Sequence, residues 1–295
     1  NAIIDGNDTD IYSVTLAQPL TSSEVLFASD GAGQALLLER EADGSLSLTI
    51  DGHWQFSSHD EAIFHELLVD LPMVLAPSVQ RVLVLGGGDA LALRNLLRYG
   101  AVGEVHLCEL DAGVLEMVRT VPELTALSEG ALDDRRVTVH IADALDFVRQ
   151  APSRPFDVII CDFPACTDAA LQPLFSREFY ERVAQWLAPE GLVSIQVSQD
   201  PAGFWSFVES ALEPTFDHLW PSLVPLGDPR SEATEWADFV IASRAALACP
   251  RRVFPDGATQ VLRADALSDQ RIVNRSANHF ETAAYGRAPD FSETW

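Results

Sequence analysis

The chain has 295 residues, of which 47% are apolar, so it can build one large domain and a smaller one around hydrophobic cores. Its formal net charge is −25, and arginine supplies all 19 basic residues. Such an acidic surface repels nucleic acid and anionic membranes, which excludes nucleic acid as a partner. The acidity has two interpretations: a salt-adapted or GC-rich source, or attraction of a polycationic substrate.

The four cysteines form no CxxC pair, so the sequence indicates neither a zinc site nor a disulfide framework, and no metal site is predicted. Cys108 and Cys161 end apolar runs and are interpreted as reduced core residues, which favours a cytoplasmic location. No run approaches the roughly 18 to 20 apolar residues of a membrane span. The chain begins at Asn1 rather than Met, which leaves open an upstream segment, a membrane-spanning one included.

The first part of the chain alternates short strand patterns with turn signals, which predicts a small antiparallel sheet. The predicted strands are Ile11–Leu16, Glu24–Ala28, Gln34–Glu39 and Ser45–Ile50. A helix is expected to follow, capped by Ser58 or Asp60 and ending near Pro77.

From residue 81 onward, strands and helices alternate, which predicts a doubly wound, Rossmann-like α/β sheet of the class I methyltransferase type. The predicted strands are 81–85, 104–108, 137–141, 156–161, 191–197 and 237–242. The predicted helices are 90–99, 111–120, 144–150, 175–187 and 203–212. We therefore divide the chain into a β domain with its linking helix (1–76), a Rossmann-like catalytic domain (77–250) and a cap or tail (251–295).

A glycine turn after the first strand of this sheet carries the most specific signal. Gly86, Gly87 and Gly88 let the backbone approach a ligand closely, and Glu109, at the end of the next strand, stands where an acid grips a ribose diol. Asp89 at the tip of the turn is badly placed for a pyrophosphate, and it would repel the carboxylate of S-adenosylmethionine. It would attract a bare ammonium. Decarboxylated S-adenosylmethionine carries that group.

Two further acids follow successive strands, Asp143 and Asp162, and the carboxyl ends of parallel strands meet at one edge. We expect both to share a crevice with Asp89 and Glu109, although a single acid after a strand is usually a helix cap. Asp143 would accept the exocyclic amine of adenine. Asp162 would take a proton from an attacking amine, which is mostly protonated at neutral pH because its pKa is near 10.

Six motifs in order resemble spermidine synthase and the other polyamine aminopropyltransferases, over roughly residues 45 to 245. The motifs are Asp51–Glu66, Gly86–Asp89, Cys108–Asp111, Leu132–Arg135, Ala142–Leu145 and Phe175–Tyr180. The stretch from Gly86 to Arg94 and the run from Asp162 to Pro164 look most like the spermidine synthase-like domains that follow a membrane-spanning segment in many bacteria.

The resemblance implies transfer of a 3-aminopropyl group from decarboxylated S-adenosylmethionine, a co-substrate rather than a bound cofactor, to an amine such as putrescine. Glu109 would hold the ribose, Asp143 and Ala144 would frame the adenine, and Asp162 would be the general base. Asp89 and His65 would contact the amine-bearing parts, with Gln55 nearby. Family members usually form dimers or tetramers, so self-association, as a dimer, is expected.

The departures from the family pattern lie mainly on the acceptor side. A second loop aspartate is replaced by Ala165, for which Asp168 could substitute, and a tyrosine before the helix histidine is Phe64. Ala90 stands where the family usually has a glycine after the glycine turn, and Ser23 replaces a glutamine of the donor site.

The segment from Gly227 to Glu235 also lacks the usual tyrosine pattern of the acceptor side. Two other functions therefore stay open. One is a methyltransferase that uses intact S-adenosylmethionine. The other is a catalytically weak sensor of an adenosyl nucleoside or a polyamine.

Overall fold

The computed structural model describes residues 23–30, 33–164, 166, 169–197, 201–226, 235–246, 255 and 273–274. Within these ranges the chain forms a small antiparallel sheet, a connecting helix and a large sheet with helices on both faces. The predicted fold class is confirmed.

The small sheet has four strands that pair in chain order. They are β1 (Glu24–Ser29), β2 (Leu36–Arg40), β3 (Leu46–Ile50) and β4 (His53–Ser57). The first three confirm the prediction, and the strand predicted over Ile11–Leu16 lies outside the described residues. β4 was not predicted. It follows β3 at once because Asp51 and Gly52 both adopt positive φ angles, which close a two-residue hairpin.

The connecting helix runs from Glu61 to Leu75 in three segments. They are α1 (Glu61–His65), a π-helical segment (Glu66–Asp70) and α2 (Leu71–Leu75). Asp60 occupies the N-cap position, as one of the two predicted caps, but its side chain makes no capping hydrogen bond. Every residue from His65 to Ala76 is buried, so this helix is part of the core rather than a surface element.

The large sheet has eight strands in the order β12-β10-β11-β9-β8-β5-β6-β7. They are β5 (Arg81–Gly86), β6 (Glu104–Glu109), β7 (Val137–Ile141), β8 (Phe156–Asp162), β9 (Leu187–Gln196), β10 (His218–Leu226), β11 (Glu235–Ser243) and β12 (Val273–Asn274). The strands β5 to β9 are parallel, and β11 runs antiparallel to β9. The strand order reverses between β5 and β8, which is where ligands bind in such sheets.

Helices cover both faces of this sheet. They are α3 (Leu91–Leu97), α4 (Ala112–Thr120), α5 (Pro122–Leu127), α6 (Ala144–Val148), α7 (Arg177–Trp186) and α8 (Pro201–Phe207), the last continued by a π-helical segment (Val208–Leu212). The connecting helix, α3 and α4 pack on one face, and α6, α7 and α8 on the other.

Three further elements were not predicted: α5, β10 and β12, the last of which falls in the range predicted as a cap or tail. Pro221 and Pro225 lie within β10, and proline argues against a paired strand because it has no N–H to donate. In the part of the chain that the structure describes, no helix is both long and apolar enough to span a membrane.

Candidate active site

The glycine turn lies at the end of β5, directly beside the end of β8. Gly86 and Gly87 have φ angles of +79° and +69°, which residues with a side chain rarely adopt. A Cβ at Gly86 would lie 2.1 Å from the carbonyl oxygen of Asp162, and one at Gly87 would lie 2.7 Å from Asp162 Oδ2. Glycine is required here because the turn packs against the next strand of the site.

Glu109 lies across the same turn and is buried. Its Oε2 accepts a hydrogen bond from the Gly88 amide at 3.0 Å, and its Oε1 accepts one from the Asp111 amide at 2.9 Å. Burial raises the pKa of Glu109, while these amides act in the opposite direction. Two backbone donors thus fix the carboxylate at the end of β6.

Asp89 and Ala90 connect the glycine turn to α3. Asp89 Oδ1 accepts a hydrogen bond from the Leu91 amide at 2.9 Å, and burial raises the pKa of Asp89 against the charge of His65. Ala90 has a φ angle of +67°, in the left-handed region that favours glycine. Alanine therefore adopts here the conformation that the family resemblance assigns to glycine.

Asp162 ends β8, next to the turn. Its Oδ2 is buried and has no hydrogen-bond partner among the described residues. Burial and the charge of Asp89 raise the pKa of Asp162 to about 7, and the charge of His65 works against this rise. Such a carboxyl can release and take up a proton near neutral pH.

His65 lies opposite these two acids, at the end of α1, and is only 2% exposed. Its Nδ1 lies 2.7 Å from the Glu61 carbonyl oxygen and 3.1 Å from Glu61 Oε2. Its Nε2 is buried without a hydrogen-bond partner in the described part of the chain. A ring nitrogen of His65, a carboxylate oxygen of Asp89 and a carboxylate oxygen of Asp162 all lie within 4.8 Å of one another.

Glu61 and Arg94 form a buried ion pair behind His65. The two guanidinium nitrogens donate to the two carboxylate oxygens at 2.9 and 2.8 Å. Burial works to raise the pKa of Glu61, but the hydrogen bonds from His65 and Arg94 outweigh it and lower the pKa to about 2. Neither residue was predicted, because a pairing across 33 positions leaves no local pattern.

Asp143 and Ala144 lie at the other end of the cleft. Asp143 caps α6, where its Oδ1 accepts from the Leu145 amide at 2.7 Å, and its side chain is otherwise exposed. An apolar wall that was not predicted from the sequence accompanies them. The wall comprises Leu110, Ala142, Leu145, Pro164, Leu171 and Leu174. Leu110 is 59% exposed and presents an apolar surface to the cleft.

Except for Ala90 and Arg94, which lie behind its wall, the residues of these groups line one cleft of about 760 Å³. Gln55 and Phe64 also line it: the Gln55 amide donates to the His53 carbonyl oxygen at 3.1 Å, and the Phe64 ring packs on His65 and Phe239. The predicted residues Ala165 and Asp168 lie outside the described residues, as does most of the segment from Gly227 to Glu235.

The replacement of a donor-site glutamine by Ser23 stays a prediction. Ser23 Oγ donates to Glu39 at 2.5 Å, and the residue does not line the cleft. Gln34 does line the cleft, and its backbone amide donates to Asp111 Oδ2 at 2.7 Å. Gln34 lies in the loop before β2, whereas the sequence pattern assigned it to a strand, so its place in the cleft was not predicted.

The cleft therefore has two chemically different ends. One end combines a fixed carboxylate with an apolar wall, which suits the sugar and base of a nucleoside. The other holds two half-buried carboxyls and a buried histidine, which suit a cation that can lose a proton.

Comparison with protein families matches residues 61–204 to the spermine/spermidine synthase domain. The chain is also similar to polyamine aminopropyltransferase 2 of Bacillus anthracis, with 38% identity over 208 residues, 68% of this chain and 57% of that protein. Polyamine aminopropyltransferase 2 of Bacillus cereus is 43% identical over 163 residues, 54% of this chain and 44% of that protein. The chain thus spans about half the length of the curated relatives it matches.

The fold is similar to the crystal structure of a spermidine synthase in complex with the transition-state analogue AdoDATO. The TM-score is 0.66 at 27% identity, over 75% of this chain and 74% of that one.

Proposed function

Because residues 61–204 belong to the spermine/spermidine synthase family, we propose that this chain is an aminopropyltransferase. It transfers the 3-aminopropyl group of decarboxylated S-adenosylmethionine to a diamine or polyamine and releases 5′-methylthioadenosine. The observation that carries the proposal is the arrangement of His65, Asp89 and Asp162 within 4.8 Å at one end of the nucleoside cleft.

The donor lies along the cleft with its nucleoside at the Glu109 end. Glu109 accepts hydrogen bonds from the ribose hydroxyls, and Asp143 accepts one from the adenine amino group. The base lies against the apolar wall, and Gln34 closes the cleft from the small sheet. The backbone of Gly86 and Gly88 approaches the donor closely because neither residue carries a side chain.

The reaction takes place at the opposite end. The acceptor nitrogen attacks the carbon attached to the sulfonium in line with the leaving group, a C–N bond forms and the C–S bond breaks. The sulfur leaves as neutral 5′-methylthioadenosine, and the proton lost by the amine passes to Asp162. Asp89 and His65 hold the amino groups, while Gln55 and Phe64 border the acceptor path.

A carboxyl with a pKa of about 7 serves this reaction well. It is substantially ionised at neutral pH and still basic enough to remove the proton as the new bond forms. The protein otherwise contributes by aligning the two substrates, because the sulfonium already makes the carbon electrophilic.

A mass-spectrometric transfer assay tests the proposal. The protein is mixed separately with decarboxylated and intact S-adenosylmethionine, each against a panel of diamines and polyamines. Methylthioadenosine together with an amine heavier by one aminopropyl unit identifies the reaction and the acceptor. Methyl transfer from the intact donor indicates a methyltransferase, and donor binding without any product indicates a sensor.

Asp162→Asn tests the general base. The amide cannot accept the proton, so we expect the rate to fall by roughly 10²- to 10⁴-fold while donor affinity stays the same. Single-turnover kinetics and calorimetry measure the two quantities. The exposed Asp133, which pairs with Arg119, provides the control variant Asp133→Asn with a normal rate.

The pH profile of the wild type gives a second readout of the same group. Asp162 must be ionised to act, so the rate should fall as the pH drops below about 7. A wild-type rate in Asp162→Asn, or no acidic limb in the profile, would remove Asp162 from the mechanism. The choice of putrescine as acceptor, a dimeric state and a cytoplasmic location stay predictions.

A further inference from the structure

We propose that Glu61, held by Arg94, is a positioning residue that keeps His65 protonated toward Asp89 and Asp162, so that an incoming ammonium displaces the His65 proton. This inference rests on the proposed amine site. It goes beyond that site because Glu61 and Arg94 act from behind the histidine.

The hydrogen bonds of His65 determine where its protons lie. A carbonyl oxygen can only accept, and Glu61 is ionised because Arg94 binds both of its oxygens, so the Nδ1 of His65 carries a hydrogen. Any change in the protonation of His65 therefore occurs at Nε2. This atom is buried and lacks a partner among the described residues.

The charges around His65 favour its protonated form in the empty cleft. Glu61 faces the ring from α1, Asp89 faces it from the glycine turn and Asp162 from the end of β8. Arg94, on α3, pairs the charge of Glu61. Burial works to lower the pKa of His65, but Glu61, Asp89 and Asp162 outweigh it and raise the pKa.

An ammonium bound between Asp89 and Asp162 reverses this balance. The ammonium neutralises the two carboxylates, which in its absence are paired with the protonated His65. Since two cations in one cluster repel each other, the bound ammonium lowers the pKa of His65. The Nε2 proton then leaves to solvent, and the exposed lone pair of Nε2 accepts an N–H of the ammonium. The cluster thus exchanges a proton for a substrate cation without a second desolvated charge.

Glu61→Gln is the matched variant. Glutamine can still accept from Nδ1 through its side-chain oxygen, but it removes the negative charge that sustains the protonated ring. We expect His65 to be neutral in the empty cleft of this variant. The change at Nε2 on amine binding is then lost.

Side-chain nitrogen NMR of protein labelled with ¹⁵N-histidine tests the exchange. Spectra are recorded at pH 7 with saturating 5′-methylthioadenosine, with and without putrescine, and His65→Gln assigns the signal. The proposal expects an imidazolium signal that becomes that of a neutral ring with hydrogen on Nδ1 when putrescine binds. Glu61→Gln should show the neutral ring in both states.

The outcomes separate the two proposals. If putrescine binds while His65 keeps one protonation state in the wild type, the exchange is wrong and the aminopropyl transfer is unaffected. If the wild type exchanges and Glu61→Gln does the same, Glu61 is not the positioning residue. If no amine from the panel binds, both this inference and the proposed amine site are wrong. The wild-type spectra with and without putrescine decide the exchange even if the variant fails to fold.

Discussion

A single methyl group added at Gly88 would disturb the end of the cleft that contains Glu109. The φ angle of Gly88 lies outside the left-handed region, so alanine is compatible with the backbone there. The new Cβ would lie 2.6 Å from Glu109 Oε2, which must then move away from the Gly88 amide. We expect Gly88→Ala to weaken donor binding by about tenfold or more, roughly the loss of one hydrogen bond to a charged group.

Calorimetric titration with 5′-methylthioadenosine measures this loss, and thermal unfolding shows whether the fold survives. Gly100→Ala is the matched control because a Cβ at Gly100 meets no atom within 4 Å. Equal affinities of the two variants would mean that Glu109 does not bind the nucleoside.

The connecting helix contributes a buried polar network next to the site. Asp70, in its π-helical segment, accepts hydrogen bonds at 2.8 Å from both the Asn95 side chain and the Tyr99 hydroxyl. These contacts tie the segment after His65 to α3. Burial raises the pKa of Asp70 to about 6, although Tyr99 and Asn95 act against the rise.

This raised pKa predicts a pH-dependent stability. An acid whose pKa is higher in the folded state than in the unfolded state favours folding less as the pH rises through that interval. Asp70→Asn removes the titration. We therefore expect its free energy of unfolding to gain roughly 1 to 2 kcal/mol relative to the wild type between pH 5 and pH 8. Urea unfolding at both pH values measures the difference, and a constant difference would contradict the pKa assigned to Asp70.

Six strands of the large sheet were predictable, the central ones because a buried parallel strand is a continuous apolar run, as in Val82–Leu85, whereas β10 and β12 were missed. The π-helical segment has no such signature, since its three apolar residues are flanked by Glu66 and Asp70 and all five residues are buried. The site residues also divide into those that a local sequence pattern predicts and those that it does not. Asp89, Glu109 and Asp162 end strands or turns and were visible, whereas Gln34, Glu61 and Arg94 reach the site only through long-range packing.

The whole molecule carries 44 acidic residues against 19 arginines, so its surface repels itself. Salt screens this repulsion over a distance that shrinks from about 30 Å at 0.01 M to about 3 Å at 1 M. We expect the midpoint temperature of unfolding to rise with sodium chloride over this range, as scanning calorimetry would measure. A fall in the midpoint would mean that attractive pairs outweigh the net repulsion.

The cleft is built from both sides of residue 77, the predicted domain boundary. Gln34, Gln55 and His65 come from before it, while the glycine turn and Asp162 come from after it. Asp111 joins the halves, because one oxygen caps α4 and the other holds the Gln34 amide. We therefore expect the proposed donor and acceptor preferences not to be modular. Grafting the small sheet of a relative onto this chain would replace Gln55, which borders the amine end of the cleft, together with the contact between Gln34 and Asp111.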